Sequence, residues 1–412
     1  MPSRRQVIAS GGLSLVAIAG GARAVDGPIS IAAGSDFDWP MARFDAAGTA
    51  TNPDASGPVE GPQVKWERDL DASVKGPAPA TLVGDTLFVV GRSSIAALDR
   101  ETGRVRFERD GYSYLSAPTV AEASAYRTPT LAITGNEGVY GLSAGGGYGA
   151  GEFNVGLQRW HAPGSPPPIR TSANPHEPSP VAADGTIYAA IPDSNRIVAL
   201  DSSSGRLEWE YATNERSGGV NRPAVRDGTV YVTTRPDHVA ALDAATGDIR
   251  WTTLVEPLEP EREHDYRQCN PPTATERGLV VPSRRAVTLL DPDDGSIEWE
   301  YVHDGAASDG SVAVADGTVY ATDGEDELHA IDIETGEQRW TAEYAHDVHP
   351  VVADGVVYLT YFWLYDLVAI DAESGERRWT YELEAGPSQP IVGDGVLYVV
   401  AHNRIVALEE GQ

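Results

Sequence analysis

The stretch AIDIETGEQRW, running from Ala330 to Trp340, decides the fold. Alone it has the makings of a site: an Asp, a Glu, a Thr and a Gly to cradle a cation, then a Trp to stack on a flat cofactor. Near copies recur as VALDSSSGRLEW, AALDAATGDIRW, TLLDPDDGSIEW and VAIDAESGERRW, ending at Trp209, Trp251, Trp299 and Trp379. A Ca²⁺ loop needs about six to eight oxygens, and the motif offers only those of Asp332, Glu334 and Thr335. Repetition therefore points to a fastening. Asp332 ends a strand and bonds the turn amides, Thr335 supports the same turn, and Gly336 supplies the left-handed residue of a bulged hairpin. Trp340 then lies on the following strand, with the small Ala330 beside it, as a plate covering the neighbouring unit.

Each copy belongs to a longer unit, best formed at 350–383 as PVVADGVVYLTYFWLYDLVAIDAESGERRWTYEL. Four apolar, β-branched or aromatic runs are separated by Asp-Gly and Ser-Gly turns, the pattern of four antiparallel strands. Further Asp-Gly pairs begin at Asp184, Asp227, Asp316 and Asp394. The closing aromatics are Trp66, Phe107, Trp160, Trp209, Trp251, Trp299, Trp340 and Trp379, spaced by roughly 40 residues as in propeller blades. The expected fold is all-β: an eight-bladed β-propeller of four-stranded antiparallel blades over 63–412. The last copy, PIVGDGVLYVVAHNRIVALEEGQ, has three strands, and the strand around Trp66 is expected to complete it and close the ring. Seven blades is the alternative, because the second unit carries the glycine-rich insertion SAGGGYGAGEF.

The formal net charge is -30, and only Lys65 and Lys75 are lysines among 31 basic residues. That composition points to a high-salt source, where salt screens a dense carboxylate surface that stays hydrated. It excludes nucleic acid as a partner, because phosphate neutralisation needs a basic face. The start MPSRRQVIASGGLSLVAIAGGARA reads as a twin-arginine export signal over 1–24, with Arg4 and Arg5 before a short apolar run and an A-x-A end. The expected location is extracellular or cell-surface, with no membrane span in the mature form. Residues 25–62, rich in Pro, Gly and Ala, are expected to form an extended strap on the propeller. With the single cysteine Cys269, no disulfide can form within the chain.

The A-x-D-x-x-[TS]-G-x-x-x-W pattern resembles the tryptophan-docking motif of the quinoprotein-type propellers, the PQQ-like repeat family, from about 63 to the C-terminus. The leader WPMARFDAAGT is similar to a segment found in exported members. The resemblance implies that Trp66, Trp160, Trp209, Trp251, Trp299, Trp340 and Trp379 are wedged against glycines of adjacent blades, drawn from Gly205, Gly247, Gly295, Gly336 and Gly375. Phe107 replaces Trp, Leu289 replaces the Ala, and Gly141 stands in the second unit; docking is expected to be weakest there. The family also includes dehydrogenases that hold pyrroloquinoline quinone between a Trp and a vicinal disulfide, beside Ca²⁺. This chain lacks the cysteine pair and has no C-x-x-C-H haem motif.

Propeller topology puts the Asp-Gly and Thr-Gly turns on one face and the other connections on the opposite face. Candidate ligand residues at the mouth on that opposite face are Asn221, Arg222, Asn270, His349, Gln389 and Glu177. YFWLY, containing Tyr361, Phe362 and Trp363, offers an aromatic platform for a partner, or packs under the strap. His346, Asp347 and His349 form an H-D-x-H pattern suited to a metal, although spacing fixes no third ligand. The expected function is a non-catalytic exported scaffold that binds a protein or surface polymer, as a monomer or within an envelope complex, like the family members that assist envelope-protein assembly. No cofactor is expected. The alternative is a quinone- or metal-dependent oxidoreductase on the loop face, with PQQ and Ca²⁺.

Overall fold

The computed structural model describes residues 27–32, 34–70, 78–91, 94–110, 116–135, 137–150, 153–163, 178–191, 194–213, 219–235, 237–255, 268–307, 310–344, 346, 348–361 and 363–412. The expected export signal lies outside them. Among the described residues there is no helix, and none long and apolar enough to cross a membrane.

Eight four-stranded antiparallel sheets form an eight-bladed β-propeller. Blades 1 to 7 occupy 81–110, 119–163, 181–212, 224–254, 273–302, 313–343 and 351–382. Blade 8 takes three strands from 391–410, and its outermost strand is Pro62–Asp69, paired antiparallel with Arg404–Glu410. Pairing the two distant segments closes the ring and removes an open edge. The glycine-rich insertion of blade 2 does not cost a blade; it forms an extra hairpin, Tyr148–Ala150 with Phe153–Val155.

Blade 6 shows how the sequence builds the ring. Its third strand, Glu327–Asp332, alternates faces as a strand must. Leu328 and Ala330 pack with Val357 and Leu359 of blade 7, whereas Ile331 packs with Val280 and Val287 of blade 5. Both faces of the blade are thus buried between neighbours, which is why its strands read as nearly continuous apolar runs.

At the end of that strand, Asp332 Oδ1 accepts from the amides of Glu334 and Thr335 at 2.9 and 3.0 Å. Gly336 has φ +71°, and a bulge follows the Ala330–Trp340 pair. The same bulge recurs at the third-to-fourth pairing of every blade. Arg339 then reaches back to Asp332 Oδ2 at 2.7 Å and to Thr318 Oγ1. Arg106 with Asp99, Arg250 with Asp243 and Arg378 with Asp371 repeat the bracket.

Every docking tryptophan except Trp379, whose next blade is blade 8, lies on the turn glycine of the next blade. A Cβ on Gly375 would stand 2.7 Å from the Trp340 ring, and Gly336 repeats this on Trp299 at 2.8 Å, Gly295 on Trp251 at 2.5 Å, Gly247 on Trp209 at 2.7 Å and Gly205 on Trp160 at 2.6 Å. Trp66 meets Gly103 in the same way. Each indole Nε1 also donates to the carbonyl that follows the next motif Asp: Trp66 to Arg100, Trp160 to Ser202, Trp209 to Ala244, Trp251 to Pro292, Trp299 to Ile333 and Trp340 to Ala372, all at 2.8–3.2 Å. Phe107 rests on Gly146 without that bond, because it has no donor. Beside Leu289, Trp299 keeps its bond at 2.9 Å but is less buried than most of the others.

A second donor is absent from the motif. Tyr188, Tyr320, Tyr358 and Tyr398, on second strands, donate to the same carbonyls as Trp209, Trp340, Trp379 and Trp66. Their rings tilt against those indoles at centroid distances of 5.8–6.0 Å. The signal is present in the sequence as Asp-Gly-x-x-Tyr.

Truncating Trp340 to Ala removes a large side chain from one blade interface. It should lower stability by about 3–5 kcal/mol, read from urea unfolding at fixed molar salt; a loss below about 1 kcal/mol would show that the interface does not need it. Acid supplies another test. Burial opposes the charge of Asp371, but bonds from Ser374 and Arg378 overcome it and hold the carboxyl at about 2. Asp243 and Asp332 are also held low, first by Arg250 and Arg339. A depressed folded-state pKa stabilises above the unfolded value and is lost as pH falls through the folded one. The melting temperature should therefore fall as pH drops from 3.8 towards about 2. A flat profile there would contradict the bracket.

Candidate functional site

A propeller's first strands surround an axial channel, and here the chain itself fills that channel. Amides of Leu82, Val120, Val225, Ala274, Val314 and Val352, in blades 1, 2, 4, 5, 6 and 7, donate to the carbonyls of Trp39, Pro40, Ala46, Ala47, Thr49 and Ala50 at 2.8–3.0 Å. Ser56 forms a parallel bridge with Asp394, bringing in blade 8. The segment expected to lie extended on the propeller instead turns repeatedly inside it, with positive φ at Phe44, Gly48 and Ala50. Trp39, Ala50 and Asn52 are fully buried. The reason is unmet hydrogen bonding: inward-facing amides of the first strands need acceptors, and the segment's carbonyls supply them.

Local chemistry sets its shape. Asp45 Oδ1 accepts from the amides of Gly48 and Thr49 at 2.6 and 2.9 Å, and Oδ2 accepts from Thr49 Oγ1 at 2.8 Å. Gly48 has φ +81°, and a Cβ there would lie 2.2 Å from Arg222 Nη2, so any other residue would be strained and would displace the guanidinium. Further along, Pro58 replaces the turn that blade 8 lacks: its carbonyl accepts from Trp379 Nε1 at 3.2 Å and Tyr358 Oη at 3.0 Å. Glu410 then holds the amides of Val59, Glu60 and Gly61.

The expected ligand residues at the mouth have different surroundings. Arg222 and Gln389 are buried against this segment. Gln389 Oε1 accepts from Arg43 Nη1 at 2.9 Å, and its Nε2 donates to the Ala42 carbonyl at 2.8 Å. Arg43 Nη2 donates to the carbonyls of Val312 and Pro350 at 2.7 and 2.8 Å. Arg222 donates to Pro223 and Pro272. Burial, then repulsion from Arg222, pushes the Arg43 pKa well down; burial lowers Arg222 to about 10. Asn221 bonds Thr233 Oγ1 and the Cys269 carbonyl. Asn270 is buried with both amide atoms unpartnered, lining a narrow cleft between blades 5 and 6. Glu177 lies outside the described residues.

On the loop face, the two described histidines of the expected metal pattern have different neighbours. The His346 ring stacks on Tyr361 at 3.8 Å, whereas His349 Nδ1 is 2.9 Å from Ser311 Oγ. Asp347 and Phe362 lie outside the described residues. Trp363, Leu364 and Tyr365 stand exposed beside that stack, at 70%, 51% and 43%. At that exposure they are not packed beneath the described part of the N-terminal segment.

A quinone held as the resemblance implies needs a vicinal cysteine pair and a Ca²⁺ nest. Cys269 is buried and single, and the axis holds main chain and two arginines whose terminal nitrogens bond carbonyls and Gln389. The described residues do not fit that group.

Replacing Arg43 by Leu strips donors from Gln389 and two carbonyls. Such losses cost about 1–3 kcal/mol each when buried. The variant should unfold at lower urea, and its 39–50 amides should exchange hydrogen faster than wild type. Unchanged exchange would show that Arg43 does not hold the segment.

The profile of the family described as outer membrane protein assembly factor BamB matches residues 58–175, 150–360 and 283–411. Outer membrane protein assembly factor BamB of Moranella endobia (strain PCIT) is 24% identical over 188 residues, 43% of this chain and 47% of that protein. The dehydrogenase subunit of a quinone alcohol dehydrogenase from Komagataeibacter europaeus is 27% identical over 143 residues, 30% of this chain and 19% of that protein. The chain thus spans about half the length of the first and a fifth of the second. Among solved structures, BamB from Moraxella catarrhalis superposes with a TM-score of 0.65 at 16% identity, covering 85% of this chain and 100% of that one.

Proposed function

From the premise that this chain belongs to the family described as outer membrane protein assembly factor BamB, we propose that it is a non-catalytic propeller scaffold that binds a protein on its loop face. The observation that carries this reading is the platform formed by Trp363, Leu364 and Tyr365 beside the Tyr361–His346 stack. Exposed aromatics in a cluster are what protein hot spots are made of. The filled axis supports it, because a substrate or planar cofactor entering there must displace 39–50, which six blades hold. Fold alone does not choose, since scaffolds and quinone dehydrogenases share it.

The proposal extends to address. The start of the sequence reads as a twin-arginine signal, and an acidic, nearly lysine-free chain suits export into a high-salt exterior of the kind a halophilic archaeon faces. A cell-surface polymer is the other ligand class such a platform would hold. The partner and the envelope complex it would join are part of the proposal.

Alanine at Tyr361 and Trp363 should each weaken partner capture at molar salt by roughly thirtyfold, the cost of losing a hot spot of about 2 kcal/mol. The melting temperature of the Trp363 variant should stay within about a degree, because that side chain is 70% exposed, whereas Tyr361 also packs against the core shared by blades 6 and 7, so capture by its variant is compared at equal folded fraction. Capture that is unchanged in both variants would overturn the platform. Turnover of alcohols after reconstitution with pyrroloquinoline quinone and Ca²⁺ would overturn the non-catalytic reading itself.

A further inference from the structure

Three ligand-type side chains meet on the second-to-third connection of blade 6: Asp323, Glu327 and His329, with one donor atom of each lying within 4.8 Å of the others. Asp323 and His329 are buried, at 3% and 4% exposure, and Glu327 is half-buried. His329 Nε2 has no hydrogen-bond partner, although it points at Asp323 Oδ2 at 3.8 Å and Glu327 Oε2 at 3.9 Å. Those gaps are too long for hydrogen bonds.

The state of that nitrogen follows from its ring partner. The Tyr301 hydroxyl donates to Gln338 Oε1 at 2.6 Å, so its oxygen accepts from His329 Nδ1–H at 3.0 Å. This relay puts the ring proton on Nδ1 and a lone pair on Nε2. A lone pair facing two carboxylates in a buried site is repulsive unless a cation lies between them.

Each remaining ligand atom is also held from behind. Asp323 Oδ1 accepts from the amides of Glu325, Asp326 and Glu327 at 2.9–3.1 Å, and Glu327 Oε1 accepts from Thr341 Oγ1 at 3.0 Å. With Tyr301 behind the imidazole, all three groups have the outer support that metal ligands characteristically have. Metal–ligand bonds to carboxylate oxygen and imidazole nitrogen are about 2.0–2.2 Å, which in a tetrahedral site sets ligand–ligand edges near about 3.3–3.6 Å, so closing from within 4.8 Å requires each group to move by less than about 1 Å.

We propose that Asp323, Glu327 and His329 bind one divalent transition-metal ion of the Zn²⁺ type, with the half-exposed Glu327 side leaving a position for water. One nitrogen with two carboxylates favours such an ion over Ca²⁺ or Mg²⁺, which prefer oxygen alone. The site is independent of the platform residues. Since Tyr301 belongs to blade 5, metal would brace blades 5 and 6 at the loop face.

The test uses the full chain stripped with chelator and titrated with Zn²⁺ in molar KCl, which suppresses loose binding to surface carboxylates. One ion per chain is expected, with Co²⁺ giving a visible absorption band in its place. His329→Gln and Glu327→Gln should each weaken binding at least tenfold, and Tyr301→Phe by roughly 10–100-fold as loss of outer support. Circular dichroism confirms folding, and Glu327→Gln, being half-exposed, serves if the histidine variant fails to fold. No stoichiometric binding by wild type, or equal binding by wild type and the folded variants, would overturn the proposal.

Discussion

A flat indole against a bare glycine peptide is the contact on which the propeller depends. The ring must approach the turn so closely that a single Cβ would collide with it, as at Gly375 under Trp340, where the separation would be 2.7 Å. The left-handed turn that places this glycine exists because Asp332, Asp371 and their equivalents tie down the turn amides. The indole N–H and, at three of the interfaces, a tyrosine hydroxyl converge on one carbonyl of that turn. Cause therefore runs from Asp to turn, from turn to glycine, and from glycine to the packing of the next blade.

Ring closure is the same contact solved with foreign parts. Blade 8 has no Asp-x-x-Thr-Gly turn, so Trp379 and Tyr358 would lack an acceptor; Pro58 supplies its carbonyl instead. The N-terminal segment thus performs two tasks. It completes the last interface at 58–61 and satisfies the inward amides of the first strands at 39–50. Burying Arg43 and Arg222 there is tolerated because their terminal nitrogens meet carbonyls and Gln389, with only Arg43 Nε left over among the buried donors, and because Asp45 offsets part of their charge.

Blade number, the strand around Trp66 and the blade order were legible because they follow from period and turn chemistry, both local. Tyr188 and its equivalents were legible in principle, since Asp-Gly-x-x-Tyr repeats, but Tyr in a strand also reads as ordinary β filling. The axial course of 38–50 was not legible: its acceptors are spent on six blades scattered through the chain, and no window of sequence contains both partners. Arg222 and Gln389 fell at the expected mouth, yet their surroundings depend on that segment. His346 and His349 looked paired by spacing, whereas Ser311 and Tyr361, distant in sequence, engage them separately. Asp323, Glu327 and His329 straddle a turn with no standard ligand spacing, and Tyr301 reaches them from another blade.

The central claim is that the indole and the glycine peptide of the next blade act as one unit. A double-mutant cycle with Trp340→Leu and Gly375→Ala, measured by urea unfolding at fixed molar salt, tests it most directly. The glycine change should be costly when the indole is present and cheaper once it is gone, giving a coupling within the range of about 0.5–3 kcal/mol for residues in contact. Additive effects, with coupling below about 0.5 kcal/mol, would contradict the account.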